Sequence, residues 1–282
     1  VHREKIQIMI HIIYNKISLH DDAFCMYQLG GTVTIGRWGL EIIQQLLIHT
    51  VGVCSIPVVG GGISIGMIGL AACCIAELFD LDKKISVLIA IIMVTVPVVA
   101  GTFLYMFTSA FYFIALFLAC FATLVIERCK PVTGFLIATG CLTFSLGIYQ
   151  AYFPVAVVIM TLVIICDCIY LQNLNIIKKG IKFVGVMFIS LALYLALTKI
   201  FLWFYHQELG SYQGSDTMLK LNLAERITRV ALCYQDLIHV SSGWGISLIF
   251  LHICIIINYL ISLFLFIYLF YGIKTRINKT VY

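Results

Sequence analysis

Residues 107–126 read FTSAFYFIALFLACFATLVI, a stretch without one charge, and the next four are Glu127, Arg128, Cys129 and Lys130. About twenty apolar residues in a helix reach about 30 Å, the hydrocarbon thickness of a bilayer. The stretch reads as a membrane-crossing helix that ends in a charged loop. Outward from it, similar apolar runs occupy 53–79, 85–104, 132–148, 151–171, 181–205 and 246–272. A shorter run, 6–17, is interrupted by His11 and Asn15 and reads as a clipped first helix. The expectation is an all-α polytopic membrane protein of about eight transmembrane helices. It forms a single domain over 1–282 that is truncated at one or both ends. No small-residue cleavage site precedes His20, so no signal peptide is read there.

Composition agrees. The 282 residues are 62% hydrophobic and 11% charged, with mean hydropathy +1.07, whereas a soluble domain carries about 45–50% apolar and about 25% charged residues. That excludes a soluble enzyme, a nucleic-acid binder and a disordered chain. Of the eleven cysteines, Cys54, Cys73, Cys74, Cys120, Cys141, Cys166, Cys168 and Cys254 lie in or beside apolar runs and read as small hydrophobes. Cys166-Asp167-Cys168 lacks the second ligand pair of a zinc site, and no metal site is assigned.

Lys and Arg set the orientation, because short loops rich in them stay in the cytoplasm. With the N-terminus inside, Arg3, Lys5, Lys83, Lys84, Arg128, Lys130, Lys178, Lys179, Lys182, Lys274, Arg276 and Lys279 all face the cytoplasm, twelve of the 18. Two long segments, 18–52 and 206–245, then lie outside. Function concentrates in long structured loops, so the active face is expected to be external. In the first segment Arg37, Glu41, Gln45 and His49 recur every four residues opposite Trp38, Ile42 and Leu46. This predicts an amphipathic helix in the interface plane. In the second, a turn-rich stretch from Gly210 to Asp216 precedes a possible second interfacial helix over 220–239.

Gly62-Ile63-Ser64-Ile65-Gly66 has the letters of a hydrolase nucleophile elbow, but it lies in an apolar span rather than at a strand-to-helix turn. Gly62 and Gly66 are better read as a small-residue seam for helix packing. The Asn278-Lys279-Thr280 sequon falls inside and is not expected to carry a glycan. Asp167, Glu77, Asp80 and Asp82 read as loop-facing or snorkelling groups rather than a proton path. His20-Asp21-Asp22 is the sharpest feature: two carboxylates beside a membrane helix, with Arg37 nearby, offer a general base and a cation. The other reading is a solvated helix cap.

Four ordered blocks carry a resemblance over most of the chain. They are Asn15 to Asp22 continued by Gly31 to Trp38, then Gly101 to Thr108, Ser145 to Phe153, and Ser211 to Gly214. Together they resemble the bacterial glucosyl transferase family associated with serotype-converting O-antigen glucosylation. The resemblance implies a GT-C type integral membrane glycosyltransferase of the bacterial inner membrane with its catalytic face external. A hexose, glucose by the family, would pass from a polyprenyl phosphate to a cell-envelope polysaccharide. Asp21 and Asp22 would be catalytic, Asp21 as base and Asp22 as a positioning group. His20, Arg37, Trp38, Tyr105, Tyr149, Gln150, Tyr212 and Gln213 would bind substrate. The partners implied are the lipid-linked sugar, the acceptor glycan and membrane lipids, with no nucleic acid. Adjacent aspartates could hold a divalent metal, but two ligands are too few to assign one. The rival class, a transporter or lipid-linked sugar flippase, would place facing charges at mid-membrane. Here the polar groups lie outside instead. A third reading is a degenerate fragment with only a structural role.

Overall fold

The computed structural model describes residues 29–51, 57–95, 97–103, 105, 107–170, 176–210 and 222–239. Among them every regular element is helical: α1 (Trp38–Val51), α2 (Pro57–Leu78), α3 (Lys83–Thr95), α4 (Pro97–Thr102), α5 (Ser109–Arg128), α6 (Pro131–Ile148), α7 (Phe153–Tyr170), α8 (Ile176–Phe204) and α9 (Leu223–His239). Single 3-10 turns occupy Val33–Ile35 and Gln150–Tyr152.

Five of these helices, α2, α5, α6, α7 and α8, are long and apolar enough to cross a membrane. Within the expected span 85–104 the described residues form two helical stretches of 13 and 6 residues, on either side of residue 96. Pro57, Pro131 and Pro154 stand in the first turn of α2, α6 and α7, where a missing N–H costs nothing. The expected first span, 6–17, and last span, 246–272, lie outside the described residues, as does the 278–280 sequon. By contrast, α8 begins earlier than expected, and its 29 residues reach about 43 Å.

The described residues fall into two compact units. The larger takes residues 29–164 and 176–210, and α5 is its centre. Two thirds of that helix's apolar window is buried, and Ala115, Ala119 and Ala122 are fully enclosed. Small side chains let neighbouring backbones approach closely, and α5 packs against α2 on one side and α6 on the other. Buried residues of α2, α6, α7 and α8, among them Ile68, Leu142, Met160 and Phe183, complete one core with Phe113 and Ile126. Among the described residues nothing lies within 4 Å of a Cβ built at Gly62 or Gly66, where a packing seam was expected, nor at Gly60 or Gly69. Ile68, Ala71 and Leu78 fill the packed face instead. Phe188, Ile181, Val184 and Leu195 on α8 and Val87, Leu88 and Ile92 on α3 are exposed. In water such a surface would aggregate; against lipid tails it is the matching solvent.

Two buried serines join helices to one another. Ser145 donates to the Ala115 carbonyl at 2.7 Å and Ser190 to the Thr139 carbonyl at 3.3 Å. At one end of the bundle the lysine- and arginine-rich helix ends are tied together. Lys179 pairs with Glu127 at 2.5 Å, Lys182 donates to the Ile126 carbonyl at 2.6 Å, and Arg128 binds Asp80 and the Glu77 carbonyl. A helix C-terminus attracts cations, so the C-terminal carbonyls of α2 and α5 hold these side chains.

The smaller unit includes the end of α7 and α9. Asp167, read as loop-facing or snorkelling, is 9% exposed, while Glu77, Asp80 and Asp82 are exposed. Within the expected 220–239 a helix is present, α9. Asn222 accepts from the Glu225 N–H at 2.9 Å and Glu225 accepts from the Asn222 N–H at 3.2 Å, a reciprocal cap that starts the helix. Leu223 and Ile227 are exposed on it.

Candidate functional site

The site lies at the bundle end opposite those lysines, where α5 begins and α6 and α8 finish. The chain enters it through a tight turn. Gly30 and Gly36 both stand at φ 76°, a left-handed conformation that side chains disfavour. Between them the Val33 N–H donates to the Gly30 carbonyl, the Gly36 N–H to the Val33 carbonyl at 2.9 Å, and the Arg37 N–H to the Thr32 carbonyl at 3.0 Å. A Cβ on Gly36 would stand 2.5 Å from the Tyr194 hydroxyl. The Gly210 N–H, beyond the end of α8, donates to the Thr34 carbonyl at 2.8 Å.

From this turn α1 starts against α6. Gly39 lies on the Gly147 backbone, where a Cβ would come within 2.9 Å of the carbonyl carbon. Trp38 lies over Gly147, stacked on Phe201 at 5.5 Å and edge-on to Phe144 at 5.9 Å. The four-residue polar stripe therefore does not face water along its whole length. Glu41 is 1% exposed while Leu46, from the opposite stripe, is 60% exposed. Burial is possible because Glu41 is fully met: Oε1 accepts from the Gly30 N–H and from Gln45 Nε2, each at 3.0 Å, and Oε2 accepts from the Thr32 hydroxyl at 2.7 Å. Desolvation, then the nearby Glu41 charge, push the Tyr205 hydroxyl above its ordinary pKa.

Arg37, the last residue before α1, reaches the start of α5. Its Nη1 donates to the Tyr112 hydroxyl at 2.7 Å, and the guanidinium lies 5.5 Å from the Tyr112 ring centroid and 4.9 Å from that of Tyr149. Those two rings stack at 4.2 Å, with Tyr105 edge-on to Tyr112 at 6.2 Å and Tyr152 edge-on to Tyr149 at 5.4 Å. A guanidinium over aromatic faces gains cation–π energy and keeps its plane fixed.

Of the candidate residues, Arg37, Tyr105 and Tyr149 thus come together. Gln150 stands beside them and donates to the Ile35 carbonyl at 3.0 Å and the Tyr194 hydroxyl at 2.9 Å. Trp38 is buried as a packing wedge. His20, Asp21, Asp22, Tyr212 and Gln213 lie outside the described residues. Sequence reasoning missed Glu41 as a buried anchor, Tyr205 near it, Tyr112 against Arg37 and Tyr194 against Gln150. The available signal was Gly30 and Gly36 on either side of the 31–35 stretch, glycines that suit a tight turn. Among the described residues no three His, Cys, Asp or Glu side chains gather as a metal would require.

No curated protein and no solved structure matches the chain. A family model described as Glucosyl transferase GtrII matches residues 10–282, and the chain belongs to that family.

Proposed function

We propose that this chain transfers glucose from a polyprenyl phosphate to a cell-envelope glycan on the external face of the bacterial inner membrane. Family membership makes it a glucosyltransferase with a sugar donor and a glycan acceptor. The observation that carries the finer reading is Arg37, fixed over Tyr112 and Tyr149 at the bundle end away from the basic loops. Nucleotide sugars are cytoplasmic, so an outward site needs a donor carried on lipid, whose phosphate lies at headgroup depth. A forked guanidinium suits that phosphate.

In the proposed step the acceptor hydroxyl oxygen attacks the anomeric carbon. The bond from that carbon to the phosphate oxygen breaks, and its electron pair leaves with the lipid phosphate, stabilised by Arg37. Asp21 takes the hydroxyl proton, and Asp22 positions substrate, since adjacent side chains diverge. One displacement inverts the anomeric configuration. Tyr105, Tyr149 and Gln150, with His20, Tyr212 and Gln213, would line the sugar and acceptor side.

The test supplies membranes carrying the chain with polyprenyl-phosphate glucose and acceptor glycan. Asp21→Asn is expected to abolish transfer, Asp22→Asn to leave a measurable fraction, and Arg37→Lys to lose about tenfold, all with normal membrane insertion. Parent rates in Arg37→Ala, or in both asparagine variants, would overturn the assignment. So would direct use of a nucleotide sugar.

A further inference from the structure

We propose that Glu41 is a positioning residue for glucosyl transfer: its carboxylate clasps the Gly30–Thr32 turn onto α1 and so fixes Arg37 over its two tyrosines. The inference rests on the reading of Arg37 given above. Glu41 is 1% exposed, and a buried carboxylate is costly unless its oxygens are met by donors. Its donors come from three places: the Gly30 backbone, the Thr32 hydroxyl and, one turn along α1, the Gln45 amide. None is a cation. If this position only needed filling, an apolar side chain would serve as well or better. The carboxylate instead joins two pieces of chain that both hold Arg37. The Thr32 carbonyl accepts from the Arg37 N–H at 3.0 Å, and the Glu41 N–H donates to the Arg37 carbonyl at 3.1 Å. Thr32 is thus bound through its side chain to Glu41 and through its backbone to Arg37. With both oxygens engaged and 1% exposure, the Glu41 carboxylate is not open to a substrate. Its part is geometric.

Glutamine can keep the same contacts. Its carbonyl would accept from Gly30 and Gln45, and its amide would donate to the Thr32 hydroxyl, which can reverse its role. Alanine cannot.

The test is a double-mutant cycle with Arg37→Lys, read as kcat/KM for polyprenyl-phosphate glucose. Glu41→Ala is expected to lose about tenfold in the parent, but less than about twofold beside Arg37→Lys, because coupled residues are not additive. Glu41→Gln should regain most of the loss. Thr32→Val, which removes one donor only, carries the same cycle should Glu41→Ala fail to accumulate in membranes. Equal losses in both backgrounds would overturn the inference alone, for Glu41 would then support the fold independently of Arg37. A parent rate in Arg37→Lys would overturn the phosphate reading and this inference with it.

Discussion

Gly39→Ala places a methyl where α1 and α6 touch through their backbones. The new Cβ would stand 2.9 Å from the Gly147 carbonyl carbon, 3.1 Å from the Ile148 nitrogen and 3.2 Å from the Gly147 oxygen. Carbon atoms rest about 3.5–4.0 Å apart, and a helix backbone cannot rotate aside as a side chain would. So α1 must lift by roughly 0.6 Å or more. Overpacking of this kind costs about 1–3 kcal/mol, offset by about 1 kcal/mol of helix propensity gained on replacing glycine. The net loss of stability is therefore about 0–2 kcal/mol, which leaves the protein folded. Activity is expected to suffer more. Arg37 and Trp38 immediately precede Gly39, and a displacement near 1 Å can cost about 10²-fold in rate. The assay measures transfer from polyprenyl-phosphate glucose beside thermal melting in detergent. The expected result is a fall of tenfold or more with a melting shift of a few degrees. Gly140→Ala, on α6, is the control, since a Cβ there meets nothing within 4 Å among the described residues. Parent activity in Gly39→Ala would refute the claim that this backbone contact sets the position of Arg37.

Two further outcomes are expected. In a background freed of native cysteines, an impermeant thiol reagent applied to intact cells should label Leu209→Cys, exposed beyond α8, but not Lys130→Cys, exposed at the basic end; labelling of Lys130→Cys would reverse the orientation. Tyr205 has a folded pKa raised above its ordinary 10.0, so its stabilising contribution is present below that pH and is lost as pH rises through the folded value. Melting temperature should therefore fall less steeply above about pH 10 in Tyr205→Phe than in the parent, and identical curves would show that burial beside Glu41 is not felt.

The membrane helices were legible in the sequence because lipid offers the backbone no hydrogen-bond partner, so a long apolar stretch has few structures open to it. The runs containing α2, α5, α6, α7 and α8 read correctly for that reason. Lys and Arg placement marked one end of the bundle, and there the structure ties Arg128, Lys179 and Lys182 to helix ends. What sequence periodicity cannot state is which way a stripe faces. Arg37, Glu41 and Gln45 have the same four-residue spacing whether turned to water or inward. Only the close seat of Gly39 on Gly147 and the donors at Gly30 and Thr32 turn Glu41 into the interior. Likewise, among the described residues a Cβ at Gly62 or Gly66 of α2 would meet nothing within 4 Å, while Ala115 and Ala119 of α5 are fully buried. Arg37 meets Tyr112 across 75 positions of sequence, a contact that local pattern does not encode. The physical reason is the same throughout: solvent preference acts on each segment alone, whereas the site is made by which segments touch.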